Sequence, residues 1–235
     1  MDISKNRHVL PTGVVTFLLT DVVGSTRIWQ QSPHAARALA RHAELIHAAI
    51  AEHDGVRPPD QGEGDSTLSA FARPGAAVAA ALAAQRALLA ETWPDGAAVA
   101  VRMSVHTGEA ERSDNGNYGG LALIRAARLR AVARGGQVLI SATTAALVAD
   151  LLPDAATLAD LGTAELAGFD RPERVHLLCH PSLPHEAPRL GTTALGDALP
   201  TWPTSLVGRE RERREVGERL AKAHLVTITG AGGSG

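Results

Sequence analysis

The chain has 235 residues, enough for one domain or two, and its 45% hydrophobic content supplies a full core. A formal charge of −2 gives no overall pull toward nucleic acid or an anionic membrane surface, and the single cysteine, Cys179, excludes an internal disulfide. No apolar run approaches the roughly 20 residues of a spanning helix, and the N-terminus carries no signal-peptide core, so the expectation is a cytoplasmic protein with no membrane partner.

In chain order, the continuous apolar run at 14–20 predicts a strand buried on both faces. Residues 33–53 place Leu39, Ala43, Ile46 and Ile50 at helical spacing. Residues 55–71 read as two short strands around a glycine-rich turn, and 74–91 as a second helix with Val78, Leu82 and Leu89 on one face. Residues 98–105 alternate as a half-buried strand does. A turn-rich hairpin at 106–120, a third helix at 120–133, a strand at 137–141 and a short helix at 142–150 follow, and 173–180 is strand-like again. The order β-α-β-β-α-β, then α-β, predicts an α+β fold: a ferredoxin-like core with helices on one face of the sheet and C-terminal additions.

Composition changes near residue 181. The boundaries expected are a folded domain over 1–180, a proline-rich linker over 181–205 and a further element over 206–235, where a charged helix and an apolar strand run into 230-GAGGSG-235. That loop fits the first six positions of a Walker A motif without its lysine and hydroxyl residue.

Two short stretches carry acids where chemistry is often placed. In 19-LTDVVGSTRIW-29, Asp21 ends the first apolar run, and Gly24, Ser25 and Thr26 follow. The segment allows a ligand site at a strand end, with backbone N–H groups for phosphate, or a helix start capped by Ser25 or Thr26. In 60-DQGEGDS-66, Asp65 sits between a glycine and a serine, which suits a metal ligand or a hairpin turn. Together, two carboxylates at strand ends can hold a pair of Mg²⁺ or Mn²⁺ ions on a triphosphate, because hard cations take oxygen ligands and let phosphates complete the shell. The run Arg125, Arg128, Arg130 and Arg134 is either a solvated helix face or the source of one phosphate-directed guanidinium.

The order TDVVGST, GEGDSTLSAF, VHTGE, then NYGG and AARL resembles the catalytic domain of class III nucleotide cyclases over residues 12–180. The resemblance implies a βαββαβ core and conversion of a nucleoside triphosphate to a 3′,5′-cyclic nucleotide and pyrophosphate. It also implies a head-to-tail homodimer with sites at the interface. Asp21 and Asp65 match the two metal-binding aspartates, and Val22 the position lending a backbone carbonyl. Gly24, Ser25 and Thr26, which follow Asp21, are expected to bind substrate phosphate through backbone N–H groups at a helix start. Arg128 matches the transition-state arginine, which comes from the opposite subunit.

Three positions depart from the pattern. Gln61 stands at the base-reading lysine and Asn117 at its aspartate partner. An amide presents donor or acceptor by flipping, so adenine and guanine should be less sharply distinguished. Ile124 stands where the family has an asparagine that orients the ribose. That change implies weakened turnover, or a degenerate domain serving as a nucleotide-binding regulatory module. The entry segment 207-VGRERE-212 with 230-GAGGSG-235 resembles the truncated start of a STAND/NB-ARC-type ATPase, as found behind cyclase domains in bacterial LuxR-type regulators. No helix-turn-helix or basic stripe suggests nucleic-acid binding by this chain itself. His106 reads as structural, and His176, His180 and His185 suit no familiar zinc spacing.

Overall fold

The structure is a computed structural model that describes residues 10–58, 65–94, 99–113, 116–183, 214–215 and 217–219. The chain divides into two units, 1–193 and 194–235. In the second unit the described residues are helical, and Arg219 pairs with Glu215 one turn earlier at 2.8 Å. Most of the linker and the glycine-rich terminal loop expected there lie outside the described residues.

The first unit is an α+β structure around one mixed sheet. Its elements are β1 (Gly13–Val22), α1 (Ser25–Gln31), α2 (Ala35–Glu52), β2 (Thr67–Phe71), α3 (Pro74–Ala90), β3 (Val101–Arg112), β4 (Tyr118–Gly119), α4 (Leu121–Ala131), β5 (Val138–Ser141), α5 (Ala142–Leu147), β6 (Thr157–Ala164) and β7 (Glu173–Cys179). The strand order is β2-β1-β3-β5-β7-β6, with β4 paired to β3. The β3–β5 pair is parallel and connected through α4, while β1 is antiparallel to both neighbours.

Side-chain alternation along β1 sorts the core into two layers. Leu18 and Val22 pack with α2, α3 and the buried side of β3, whereas Val15, Phe17 and Leu19 pack with Ala122 and Ala126 of α4. Helices therefore cover both faces, not the single face expected from the sequence. The run 14–20 is apolar throughout because each face of β1 meets its own helix layer. Small residues set the spacing: a Cβ on Gly108 of β3 would come within 2.8 Å of the Ala122 Cβ, so α4 lies close against the strand.

Four local expectations are corrected. Between α2 and α3 the described residues hold one strand, β2, and Val56 contributes only an isolated bridge to Ala70. Residues 106–112 continue β3, because its ladder with β1 runs on to Gly13 opposite Ala110. In the last turn of α3, Leu88 takes the buried place and Leu89 is half exposed. The polar strand β6, which carries no apolar alternation, exists as the antiparallel partner of β7 and was not expected.

Candidate active site

The ladder between β1 and β2 pairs Thr20 with Thr67, so Asp21, just past Thr20, and Asp65, just before Thr67, lie at the same end of the sheet. The Ser66 hydroxyl donates to the Thr20 carbonyl at 3.2 Å and ties the two segments together. Asp65 Oδ2 is buried without a hydrogen-bond partner. A buried carboxylate oxygen in that state is costly unless a cation or a donor completes it.

Two arginines close around this pair. Arg102 of β3 stands directly opposite Asp21 in the ladder. Its Nε donates to Asp21 Oδ2 at 2.7 Å, and its Nη2 lies 2.5 Å from the same oxygen. From the end of α4, Arg130 Nη1 donates to the Thr20 carbonyl at 3.0 Å and to Ser66 Oγ at 2.5 Å. Burial pushes the Arg130 guanidinium below its usual value, opposed by the charges of Asp21 and Asp65. It remains a cation at any ordinary pH.

The donor set is all oxygen: two carboxylates and the backbone at the end of β1, where Val22 itself is a buried core residue. That set and the orphaned Asp65 oxygen fit a hard divalent cation whose remaining positions come from phosphate. Among the described residues no group of three or more His, Cys, Asp or Glu side chains is placed to hold a metal ion. Two carboxylates would leave most of a metal shell to water or to the oxygens of a phosphate-bearing ligand. Immediately after β1, Gly24 adopts φ 70° and caps α1, with Ser25 as the first helical residue. The expected capping alternative is corrected, since no side chain caps this helix. A cavity of about 390 Å³ opens beside Asp65, lined by Trp29, His42, His47, Arg57 and Ser66. Burial lowers the His42 imidazole, and the charge of Asp65 opposes that.

The arginine run divides by geometry. Arg125 pairs with Glu173 at 2.6 Å and lies over the Phe169 ring at 4.1 Å, which is a structural contact. Arg128 is exposed, in line with the exposed Leu121 and Ile124. Two helical positions apart, Arg128 and Arg130 leave α4 roughly 160° from each other, so one turns outward while the other turns to the aspartates. The structure therefore brings Asp21, Asp65, Val22 and the Gly24–Thr26 segment together, and leaves Arg128 and Ile124 on a solvent-facing stripe. Asn117 sits just before β4, and Gln61 lies outside the described residues. Arg102 and Arg130 were missed as site residues. Arg130 was visible as the second arginine of AARLR, whereas Arg102 gains its meaning only from the β1–β3 register.

His106 is structural, as expected, and lies within β3 opposite Phe17 of β1. Its Nδ1 lies 2.8 Å from Ser141 Oγ, within a buried hydroxyl chain through Thr144, Thr107 and Thr16. Burial pushes it down to about 4, against the opposing charge of Glu173. The unfolded chain then binds more protons between that value and the ordinary histidine pKa near 6.5, so its stabilising contribution is complete above about 6.5 and is lost as pH falls toward 4. At 1.36 kcal/mol per unit this amounts to at most about 3 kcal/mol. The melting temperature should fall from pH 7 to pH 5, with a shallower slope in His106→Gln. An equal slope in both proteins would assign the loss elsewhere.

No protein-family model matches the chain. An uncharacterized protein of Mycobacterium tuberculosis is 41% identical over 215 residues, covering 90% of this chain and 72% of that protein. The adenylate cyclase of Lachancea kluyveri is 31% identical over 159 residues, covering 56% of this chain but 8% of the fungal protein. Among solved structures, a Trypanosoma brucei adenylate cyclase superposes with a TM-score of 0.66 at 24% identity, over 77% of this chain and 95% of that one. No helix among the described residues is long and apolar enough to cross a membrane. The chain belongs to one family with the mycobacterial protein, and its first unit is built as an adenylate/guanylate cyclase catalytic domain.

Proposed function

We propose that the chain is a metal-dependent nucleotide cyclase, forming a 3′,5′-cyclic nucleotide and pyrophosphate from ATP and also from GTP, with low turnover. The observation that carries this reading is the meeting of Asp21 with Asp65, whose buried oxygen has no partner, at one end of a cyclase-type sheet. Two Mg²⁺ or Mn²⁺ ions, when bound there, would offset triphosphate charge, favour loss of the ribose 3′-hydroxyl proton and stabilise the leaving pyrophosphate. Asp21 and Asp65 would hold them, with the Val22 carbonyl. The backbone of Gly24, Ser25 and Thr26 lies next to Asp21 and would meet the phosphates. Arg130 is positioned to offset negative charge beside the same oxygens.

Arg128 cannot serve the aspartates of its own chain, because it leaves α4 on the opposite side from Arg130. It would act in the site of a second copy in a head-to-tail homodimer. The exposed stripe Leu121, Ile124 and Arg128 is the surface such a partner would cover. Gln61 and Asn117 would read the base through amides. ATP and GTP should then be turned over with comparable kcat/KM, whereas a fixed donor–acceptor pair discriminates by up to about 10⁴–10⁵-fold. Product formation from each triphosphate with Mn²⁺, measured on the full chain, tests both points. A preference that large would reject the amide reading, and no product from either would reject the enzyme.

Ile124 favours a second reading. Exposed by 47% and unable to hydrogen-bond, it stands where the resemblance calls for a polar group. On this reading the domain binds triphosphate without converting it and regulates an attached STAND/NB-ARC-type ATPase, whose start 207-VGRERE-212 and 230-GAGGSG-235 would mark.

A further inference from the structure

Helix α4 presents Arg128 and the exposed stripe on one side and rests on the sheet by the other. Its first two turns rest on alanines. Ala122 lies against Gly108 of β3, and the Ala126 carbonyl accepts from the Ser104 hydroxyl at 2.8 Å. Methyl groups set how close a helix lies but resist its turning about its own axis only weakly, because the ridges they form are shallow. Two arginines supply that resistance. Arg130 reaches to the Thr20 carbonyl and Ser66, on the β1–β2 side of β3. Arg125 reaches the other way, to Glu173 of β7, which lies beyond β5 in the sheet. Five positions apart, the two leave the helix roughly 140° from each other.

The Arg125 anchor is enclosed. Glu173 is 8% exposed; its Oε2 accepts from Arg125 Nη1 at 2.6 Å, and its Oε1 from the Ala142 N–H at the start of α5 at 3.2 Å. The guanidinium also lies over the Phe169 ring, in the connection between β6 and β7. A carboxylate that deep needs its cation, and the ring and the ion pair together hold that cation in one place. Arg125 is next to Ile124 and three positions before Arg128. The angle that this clip fixes is therefore the angle at which the stripe leaves the helix. A misplacement of about 1 Å in a reacting group can cost about 10²-fold in rate.

We propose that Arg125 and Glu173 are positioning residues for turnover: the pair sets the roll of α4 and thereby aims Arg128 at the site of the second copy. This rests on the reading of Arg128 as a group that acts across a head-to-tail dimer. Arg128 would act on the transition state, not on bound triphosphate. Loss of the pair should therefore lower kcat and leave KM in place.

Two measurements on the full chain separate aim from stability. Arg125→Met leaves Glu173 buried without its cation, so melting temperature and kcat should both fall. Adding Glu173→Gln removes that charge and keeps an acceptor for the Ala142 N–H. The double variant should recover melting temperature while its kcat stays about tenfold below wild type at unchanged KM. Wild-type kcat in the double variant would overturn the positioning role. Mixing then assigns the lesion to one half of the shared site. With Asp21→Asn copies the double variant should regain roughly a quarter of wild-type product formation, and with Arg128→Ala copies it should give no more than the sum of the parts. No gain with Asp21→Asn, where Arg128→Ala does gain with it, would overturn the positioning role and leave the shared site standing. If Arg128→Ala fails to gain as well, the shared site falls and the proposal falls with it.

Discussion

Replacing Asp21 with asparagine, or Arg128 with alanine, should each lower cyclic nucleotide formation by about 10²–10³-fold, the size of several kcal/mol of lost transition-state stabilisation. The two losses have different physical origins and should leave different traces. Asp21→Asn removes one of the two carboxylates that fit a divalent ion, so Mn²⁺ binding should be lost along with turnover. It also strips Arg102 of its partner. Because the pair is partly exposed, the cost in folding stability should stay near about 1 kcal/mol. Arg128→Ala touches no described hydrogen bond or ion pair and sits on the exposed side of α4. Its melting temperature and Mn²⁺ affinity should match the wild type while turnover falls. Equal turnover in Arg128→Ala and wild type would remove this arginine from the reaction.

The second large effect runs in the opposite direction. Ile124→Asn should raise kcat by about 10²-fold, since one preorganised polar group in an active site is commonly worth that much. The substitution costs little in the fold. Ile124 is 47% exposed and outside the buried layer that Ala122, Ala126 and Leu129 form under α4. Asparagine lowers helix propensity by only a few tenths of a kcal/mol relative to isoleucine. Ile124→Ala is the control, because it removes the apolar side chain without supplying a hydrogen bond and should not raise kcat. A gain in asparagine alone would mean that the rest of the site is intact. No gain would favour the regulatory reading, in which triphosphate is held without being converted.

Much of the architecture was legible in the sequence because burial leaves periodic marks. The apolar run of β1 and the helical spacing of α2 each predicted an element that the structure contains. The short strand β5 was equally plain. What escaped were features that depend on pairing. The strand β6 is mostly exposed and polar, and only the neighbouring β7 gives it a reason to be extended. Residues 106–112 contain the glycine and charges of a turn, yet β1 on one side and β4 at the end hold them in a ladder.

The same division holds within the site. Asp21 and Asp65 were visible as acids at strand ends, and their juxtaposition follows once Thr20 is set opposite Thr67. Arg102 falls within the alternating run 98–105, which marks it only as a polar position of a strand. Its contact with Asp21 needs the β1–β3 register, which a separation of 81 positions hides from any local pattern. Arg130 illustrates a finer limit. A helix carrying four arginines presents several directions at once, and the sequence alone does not say which one turns inward. The sheet layer under Ala126 and Leu129 decides it.

The composite site is most directly tested by mixing Asp21→Asn copies with Arg128→Ala copies. A head-to-tail dimer of one of each has one site carrying both lesions and one site carrying neither. With random pairing the equimolar mixture should regain roughly a quarter of wild-type cyclic nucleotide formation, although each variant alone is nearly inactive. A mixture no more active than the sum of its parts, under conditions where light scattering detects dimers, would contradict a site shared between two copies of this chain.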